Sequence, residues 1–319
     1  MDQNKGEFIS VVIPFFNEEG QAAATLTEVA SVLESAGLSY ELVAVDDGST
    51  DGTWQVLLEL SQTRPGIRAL RFSRNFGKEA AVCAGLDQAA GQAVVVMDGD
   101  LQHPPQYIPE MVQLWREGYE VVEGLKESRG DGIFSRFAAN LFYGLFRKMS
   151  GIQLKNASDF KLLDRKVVDF WKTIPEKDTF FRALSAWMGF RRINLPFVVQ
   201  DRTDGKSKWG FRKLFRLSVS ALTGFSSRPL ILISSMGTFF LLAFFVLAIQ
   251  TLVTYIGGRA ATGFTTVILL QLLIGSITLI SLGLIGLYID SLFREVKARP
   301  RYLITERSEP GVRHERPAD

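Results

Sequence analysis

Short apolar runs and helix-period segments take turns along the first 125 residues. Runs at 8–13, 40–45, 67–72, 92–97 and 120–125 read as strands, and segments near 22–36, 53–63, 79–90 and 106–117 carry apolar residues at helical spacing. This alternation predicts an α/β domain with a mostly parallel sheet covered on both faces. In such sheets ligands bind beyond the carboxyl ends of the strands.

The second half of the chain has another pattern. Residues 229–255 and 264–289 contain no charged residue, and each run exceeds the roughly 20 residues that span a bilayer core. Only residues 256–263 lie between them, so they predict a transmembrane helical hairpin. Arg212, Lys213, Arg216 and Arg228 precede the hairpin and Arg294, Lys297, Arg299 and Arg301 follow it, against Arg259 alone in its loop. The positive-inside rule then places the N-terminal domain and both termini in the cytoplasm, as in a multi-pass protein of the inner membrane. Residues 133–149 and 209–225 mix large aromatic and basic residues at helical spacing. Both suit helices lying in the headgroup layer, and the first suits an amphipathic core helix equally well.

These patterns divide the chain into a cytosolic domain (1–200), a basic juxtamembrane segment (201–228), the hairpin (229–290) and a cytosolic tail (291–319). Beyond Leu303 the tail is rich in charge and Pro and reads as disordered. Residues 1–7 are short and polar, unlike a signal peptide. A net charge of +2 gives no global reason to expect nucleic acid. The single cysteine, Cys83, excludes an intrachain disulfide and sits in an apolar segment, as a buried and inert thiol would.

Three strand ends carry the candidate chemistry. The fourth strand runs into Asp98-Gly99-Asp100-Leu101-Gln102. In an extended backbone alternate side chains point the same way, which would converge Asp98, Asp100 and Gln102 on one spot. Their hard oxygen ligands suit Mg²⁺ or Mn²⁺, cations that keep substrate phosphates in their shell. The first strand ends in Pro14-Phe15-Phe16-Asn17-Glu18-Glu19 and the second in Asp46-Asp47-Gly48-Ser49-Thr50-Asp51-Gly52-Thr53. Asp51 or Ser49 can cap the next helix, and the glycines can permit turns. Adjacent Asp46 and Asp47 repel each other, and a ligand donating hydrogen bonds would explain them. His103, before Pro104-Pro105, reads as a solvated loop histidine rather than a metal ligand. Neither Gly-x-Gly-x-x-Gly nor Gly-x-x-x-x-Gly-Lys occurs.

Val12-Ile13-Pro14 with Asn17-Glu18, the Asp46–Thr53 motif and Asp98-Gly99-Asp100-Leu101-Gln102 together resemble glycosyltransferase family 2, whose fold is the Rossmann-like GT-A fold. Arg74-Asn75-Phe76-Gly77-Lys78-Glu79, Ser158-Asp159-Phe160 and the hairpin narrow the likeness to membrane-anchored polyprenyl-phosphate glycosyltransferases. The resemblance implies a nucleotide diphosphate sugar donor (UDP-glucose first), a polyprenyl phosphate acceptor in the bilayer, and Mg²⁺ or Mn²⁺. It implies a nucleoside pocket at Pro14, Glu18, Asp46 and Asp47 with Lys78 nearby, and a metal and diphosphate site at Asp98, Asp100 and Gln102. Asp159 would act on the acceptor, taking its residual proton or orienting it. Arg129, Arg202, Ser207 and Lys208 would handle the lipid phosphate or the diphosphate. A homo-oligomer, tetrameric in the likeness of relatives, also follows. GDP-mannose or a modified sugar nucleotide is the alternative donor, and a membrane-anchored binding module without catalysis is the alternative from another class. A processive polysaccharide synthase would carry Gln-x-x-Arg-Trp, which is absent.

Overall fold

The computed structural model describes residues 7–127, 157–176, 180–198 and 263–308, with scattered positions from 235 to 257. The chain divides into two compact units, one of residues 1–144, 152–208 and 300–319, the other of residues 145–151 and 209–299.

The first unit is built on one eight-stranded sheet. Its strands are β1 (Phe8–Phe15), β2 (Ser39–Asp46), β3 (Ile67–Phe72), β4 (Ala93–Val96), β5 (Val121–Glu127), β6 (Ala157–Asp164), β7 (Arg192–Val198) and β8 (Ile304–Arg307), in the spatial order β7-β5-β6-β4-β1-β2-β3-β8. Helices α1 (Glu19–Ser35), α2 (Thr53–Thr63), α3 (Lys78–Gln88) and α4 (Ile108–Arg116) follow β1 to β4 in turn, and α5 (Arg165–Thr173) and α6 (Phe181–Trp187) lie between β6 and β7. All five strands and four helices expected up to residue 125 form. The parallel arrangement holds for β3-β2-β1-β4 and for β5 with β7. It fails where β6 enters, because β6 runs antiparallel to both β4 and β5, and β8 is antiparallel to β3. The sheet is therefore mixed but still mostly parallel in strand direction, with β6 and β8 the reversed strands.

Strand alternation explains how both faces are covered. Ile9, Val11, Ile13 and Phe15 enter one core with Leu26, Val29 and Leu33 of α1 and Leu57 of α2. Val12 faces the other way, onto α3. There a Cβ on Gly85 would lie 2.0 Å from Val12 Cγ1, so the glycine lets this helix approach β1 closely. Continuous burial of Val94, Val95 and Val96 follows from a central strand with both faces covered. Cys83 is buried in α3, as its apolar segment implies.

β8 corrects the disorder expected after Leu303 as far as Ser308, and residues 309–319 lie outside the described residues. Ser308 exchanges both backbone and side-chain hydrogen bonds with Ala69, Tyr302 stacks on Phe72 with centroids 5.2 Å apart, and its hydroxyl donates to Asp87 at 2.6 Å. Four residues suffice because they extend an existing sheet edge rather than forming a sheet of their own.

In the second unit, α7 (Phe264–Val296) is 33 residues long, about 50 Å at 1.5 Å per residue. Residues Leu273–Phe293 are long and apolar enough to cross a membrane. Leu279 and Ile280 are about 70 % exposed, as lipid-facing side chains would be. Of the other expected span, 229–255, only scattered positions from Ser235 to Val253 are described, all helical. The expected interfacial helices at 133–149 and 209–225 lie outside the described residues.

Candidate active site

The loops that leave β1 and β2 hold each other. Ser49 Oγ accepts from Asn17 N–H at 2.9 Å, Thr53 Oγ1 accepts from Glu18 N–H at 2.9 Å, and Asn17 Oδ1 accepts from Thr50 N–H at 2.9 Å. Glu19 Oε2 accepts from Gly52 N–H, and Asp51 accepts from Glu19 N–H and Thr53 N–H. Glu18, at the N-cap of α1, turns its carbonyl onto Gln21 and Ala22 N–H. Pro14 stands opposite Val45 in the parallel register. Much of the two motifs thus builds the platform. Gly48 brings in a third loop: its φ is +68°, and a Cβ there would lie 2.4 Å from the Arg74 carbonyl carbon.

Asp46 and Asp47 are both buried, with protein partners on each. Asp46 Oδ1 accepts from Ser49 N–H at 3.0 Å, and Asp46 Oδ2, which lacks a hydrogen bond, faces Arg71 Nε at 3.5 Å. Asp47 accepts from the Phe76 and Gly77 N–H groups at 2.7–3.1 Å. These contacts account for the adjacent carboxylates without a ligand, a structural role the sequence reading did not foresee for Asp47. Burial pushes both carboxyls up, Asp47 to about 6 against the backbone donors that favour its charged form.

A cavity of about 570 Å³ opens beside this platform, within the range of small-molecule sites. Phe16, Ser49, Arg71, Arg74 and, from β8, Thr305 and Glu306 are among its lining residues.

The second cluster forms past the end of β4, beside the first residues of antiparallel β6. Lys78, the first residue of α3, places Nζ 2.5 Å from both Asp98 Oδ1 and Asp159 Oδ2. Arg182 of α6 grips Asp159 with two bonds, Nε to Oδ1 at 2.7 Å and Nη2 to Oδ2 at 2.8 Å. Lys161, two residues on from Asp159, ties α6 to β6 through Ser185 at 2.7 Å and pairs with Glu123 at 2.9 Å. Glu79 accepts from Phe181 N–H and so holds the start of α6; burial, with the Asp159 charge, pushes its carboxyl up to about 7. Burial alone would raise the Asp159 carboxyl, but Lys78 and Arg182 hold it well below the usual carboxylate range. The same carboxylates keep Lys78 protonated against its desolvation.

The acidic strand end does not continue as a strand. β4 stops at Val96, and Leu101 adopts φ +56°. Extended alternation therefore cannot aim Gln102 beside Asp98 and Asp100. Gln102 instead donates its backbone N–H to Asp100 Oδ1 at 3.1 Å. Gly99 is buried where a Cβ would lie 2.6 Å from the Phe15 ring, and its carbonyl accepts from Thr25 Oγ1 at 2.7 Å. His103 is the clearest correction. It is buried, stacks on Phe160 at 5.3 Å, and its Nδ1 accepts from Asp98 N–H at 3.0 Å. Burial lowers its pKa, so the neutral ring braces Asp98 from behind. Pro104 and Pro105, taken as signs of an exposed loop, are themselves buried.

The structure thus brings Asp98, Lys78 and Asp159 together, with Asp100 on the same turn as Asp98. Asp46 and Asp47 form a separate pair under the cavity-side loops. Arg129, Arg202, Ser207 and Lys208 lie outside the described residues. Arg182 and Arg71 were not singled out from sequence; each is an isolated arginine far along the chain from the carboxylate it meets. No group of three acidic, His or Cys residues positioned for a metal occurs among the described residues.

The glycosyl transferase family 2 model matches residues 10–171. The uncharacterized glycosyltransferase YkcC of Bacillus subtilis (strain 168) is 39% identical over 302 residues, covering 92% of each chain. The bactoprenol glucosyl transferase of Shigella phage SfX is 35% identical over 302 residues, covering 94% of this chain and 99% of its own. The prophage bactoprenol glucosyl transferase homolog of Escherichia coli (strain K12) is 35% identical over 299 residues, covering 93% and 98%.

Proposed function

Given that the chain belongs to glycosyltransferase family 2, we propose that it transfers glucose from UDP-glucose to a polyprenyl phosphate at the cytoplasmic face of the inner membrane. Relatives named as bactoprenol glucosyl transferases, alike over nearly their whole length, support the sugar and the lipid. The observation that carries the chemistry is the Asp98–Lys78–Asp159–Arg182 cluster, which sets carboxylates for a cation beside cations for an anion.

The nucleoside of the donor occupies the cavity lined by Phe16, Ser49, Arg71 and Arg74. Asp98 and Asp100 would hold Mg²⁺ or Mn²⁺. Their oxygens suit a hard cation, and the Lys78 ammonium against Asp98 shows that this carboxylate accepts positive charge. Two protein carboxylates would leave most of such an ion's coordination to other oxygen ligands. When bound, the ion would neutralise the leaving diphosphate as a Lewis acid. An oxygen of the lipid phosphate attacks the anomeric carbon, the bond to the diphosphate breaks, and the configuration inverts. A phosphate monoester, with a second pKa near 6, is already largely dianionic at neutral pH. Asp159, doubly paired and held as carboxylate, then orients Lys78 and Arg182 toward the acceptor rather than removing a proton. Arg129, Arg202, Ser207 and Lys208 complete the lipid-phosphate site in this reading.

The topology has support from the first unit alone. Residues 7–127 and the β8 strand belong to one folded unit, so the chain between them crosses a membrane an even number of times. With α7 as one span, the uncharged run 229–255 supplies the other. Both ends of the hairpin then lie on one side, and the basic residues flanking it favour the cytoplasm for that side.

The test is transfer of label from a panel of radiolabelled sugar nucleotides, UDP-glucose and GDP-mannose among them, into undecaprenyl phosphate in detergent with Mn²⁺ or Mg²⁺. Label entering the organic phase from UDP-glucose alone is expected. Transfer from another donor would overturn the sugar assignment, and no transfer by protein that binds UDP would overturn the acceptor.

A further inference from the structure

β8 does more than close a sheet edge. Glu306 on this strand takes Arg71 Nη1 on Oε1 at 2.8 Å and Trp54 Nε1 on Oε2 at 3.1 Å. Arg71 lies over the Trp54 ring at 5.7 Å and directs Nε at Asp46 Oδ2, 3.5 Å away. The guanidinium is thus fixed on three sides: by Glu306, by the indole and by a buried carboxylate oxygen with no hydrogen bond. Both Arg71 and Glu306 line the 570 Å³ cavity. Side-chain exposure separates their parts: Asp46 is fully buried, Arg71 is 28 % exposed and Glu306 49 %.

We propose that Glu306 is a positioning residue for the donor: it holds Arg71 at the cavity wall, and so the strand that follows the membrane helix sets affinity for the nucleoside diphosphate. This rests on the reading of the cavity as the nucleoside site. Without Glu306, Arg71 keeps its charge but loses its fixed direction, and an arginine that must be ordered on binding contributes less. The effect belongs to donor binding rather than to the chemical step, because among the described residues the Glu306 carboxylate meets Arg71 and Trp54, not the Asp98–Asp159 cluster.

The experiment uses the full chain in detergent, with UDP binding by calorimetry and steady-state transfer to undecaprenyl phosphate. Glu306→Gln is expected to raise the UDP Kd and the donor KM about tenfold, the order for losing a hydrogen bond to a charged group, with kcat within twofold. Glu306→Asp, which keeps the carboxylate, should recover part of the loss. Arg71→Ala should add little in the Glu306→Gln background, since the two act as one unit. Ser308→Ala loosens β8 at Ala69 without touching Arg71, and should lower the melting temperature while leaving KM unchanged. An unchanged KM in Glu306→Gln, a fall in kcat alone, or equal KM effects from Ser308→Ala would overturn the proposal. Wild-type protein that binds no UDP would overturn the nucleoside-site reading and this proposal with it, whereas wild-type binding with an unaffected Glu306→Gln variant overturns this proposal alone.

Discussion

Two acidic pairs stand past the carboxyl ends of neighbouring parts of the same sheet, and they are built in opposite ways. Asp46 and Asp47 are sunk in the protein, answered by Ser49, Phe76 and Gly77 N–H groups and by Arg71. Asp98 is 27 % exposed at its side chain, and the charge it meets is the tip of a flexible lysine that it shares with Asp159. The first pair spends its hydrogen-bonding capacity on joining the loops after β2 and β3; in the proposed reading the second is where a divalent cation would take the place of the lysine. Sequence spacing alone does not distinguish a carboxylate that shapes a site from one that works in it. Partners and burial do.

Mutations should separate the two pairs. The largest effect is expected at the second: Asp98→Asn should cut label transfer about 10³-fold, the order for losing one preorganised electrostatic group, with an unchanged melting temperature. Arg182→Ala should follow at about 10²-fold, because Asp159 loses a bidentate partner and the acceptor a cation, with the acceptor KM moving more than the donor KM. At the first pair the expected loss is in stability. Asp47→Ala, assayed by denaturant unfolding at pH 5, should cost about 1–2 kcal/mol by stranding the Phe76 and Gly77 N–H groups.

The first pair should also show a pH dependence. Asp47 has a carboxyl raised by burial to about 6 in the fold, so the folded state binds the proton more tightly than the unfolded chain. The resulting stability is present below the ordinary carboxylate range and is lost as pH rises through 6, a term of about 3 kcal/mol. Asp47→Asn should flatten that stretch of the stability–pH curve. A wild-type curve rising with pH between 4 and 6, with the same slope in the variant, would remove this distinction between the pairs.

The core of the fold was legible because period-2 and period-3.6 patterns dominate residues 8–125, and central strands such as 94–96 must be apolar on both faces. Less legible were contacts set by distance along the chain. Arg182 reaches Asp159 from 23 residues away across a separate helix, and Glu306 reaches Arg71 across 235. Neither carries a local signal. β8 looked like tail because Ile304-Thr305-Glu306-Arg307 offers one apolar residue among polar ones, and the edge of β3 supplies the order instead. His103 misled for the opposite reason. A histidine beside two prolines suggests a loop, and this loop folds inward onto Phe160 and Phe197. The convergence of Asp98, Asp100 and Gln102 presumed an extended backbone that the left-handed Leu101 interrupts.

The contrast between the pairs is tested most directly by electron paramagnetic resonance of Mn²⁺ titrated into full-length protein with and without UDP. The account predicts a bound Mn²⁺ signal that strengthens with UDP, disappears in Asp98→Asn and persists in Asp47→Asn. Mn²⁺ bound equally by Asp98→Asn and wild-type protein, or lost only in Asp47→Asn, would contradict it.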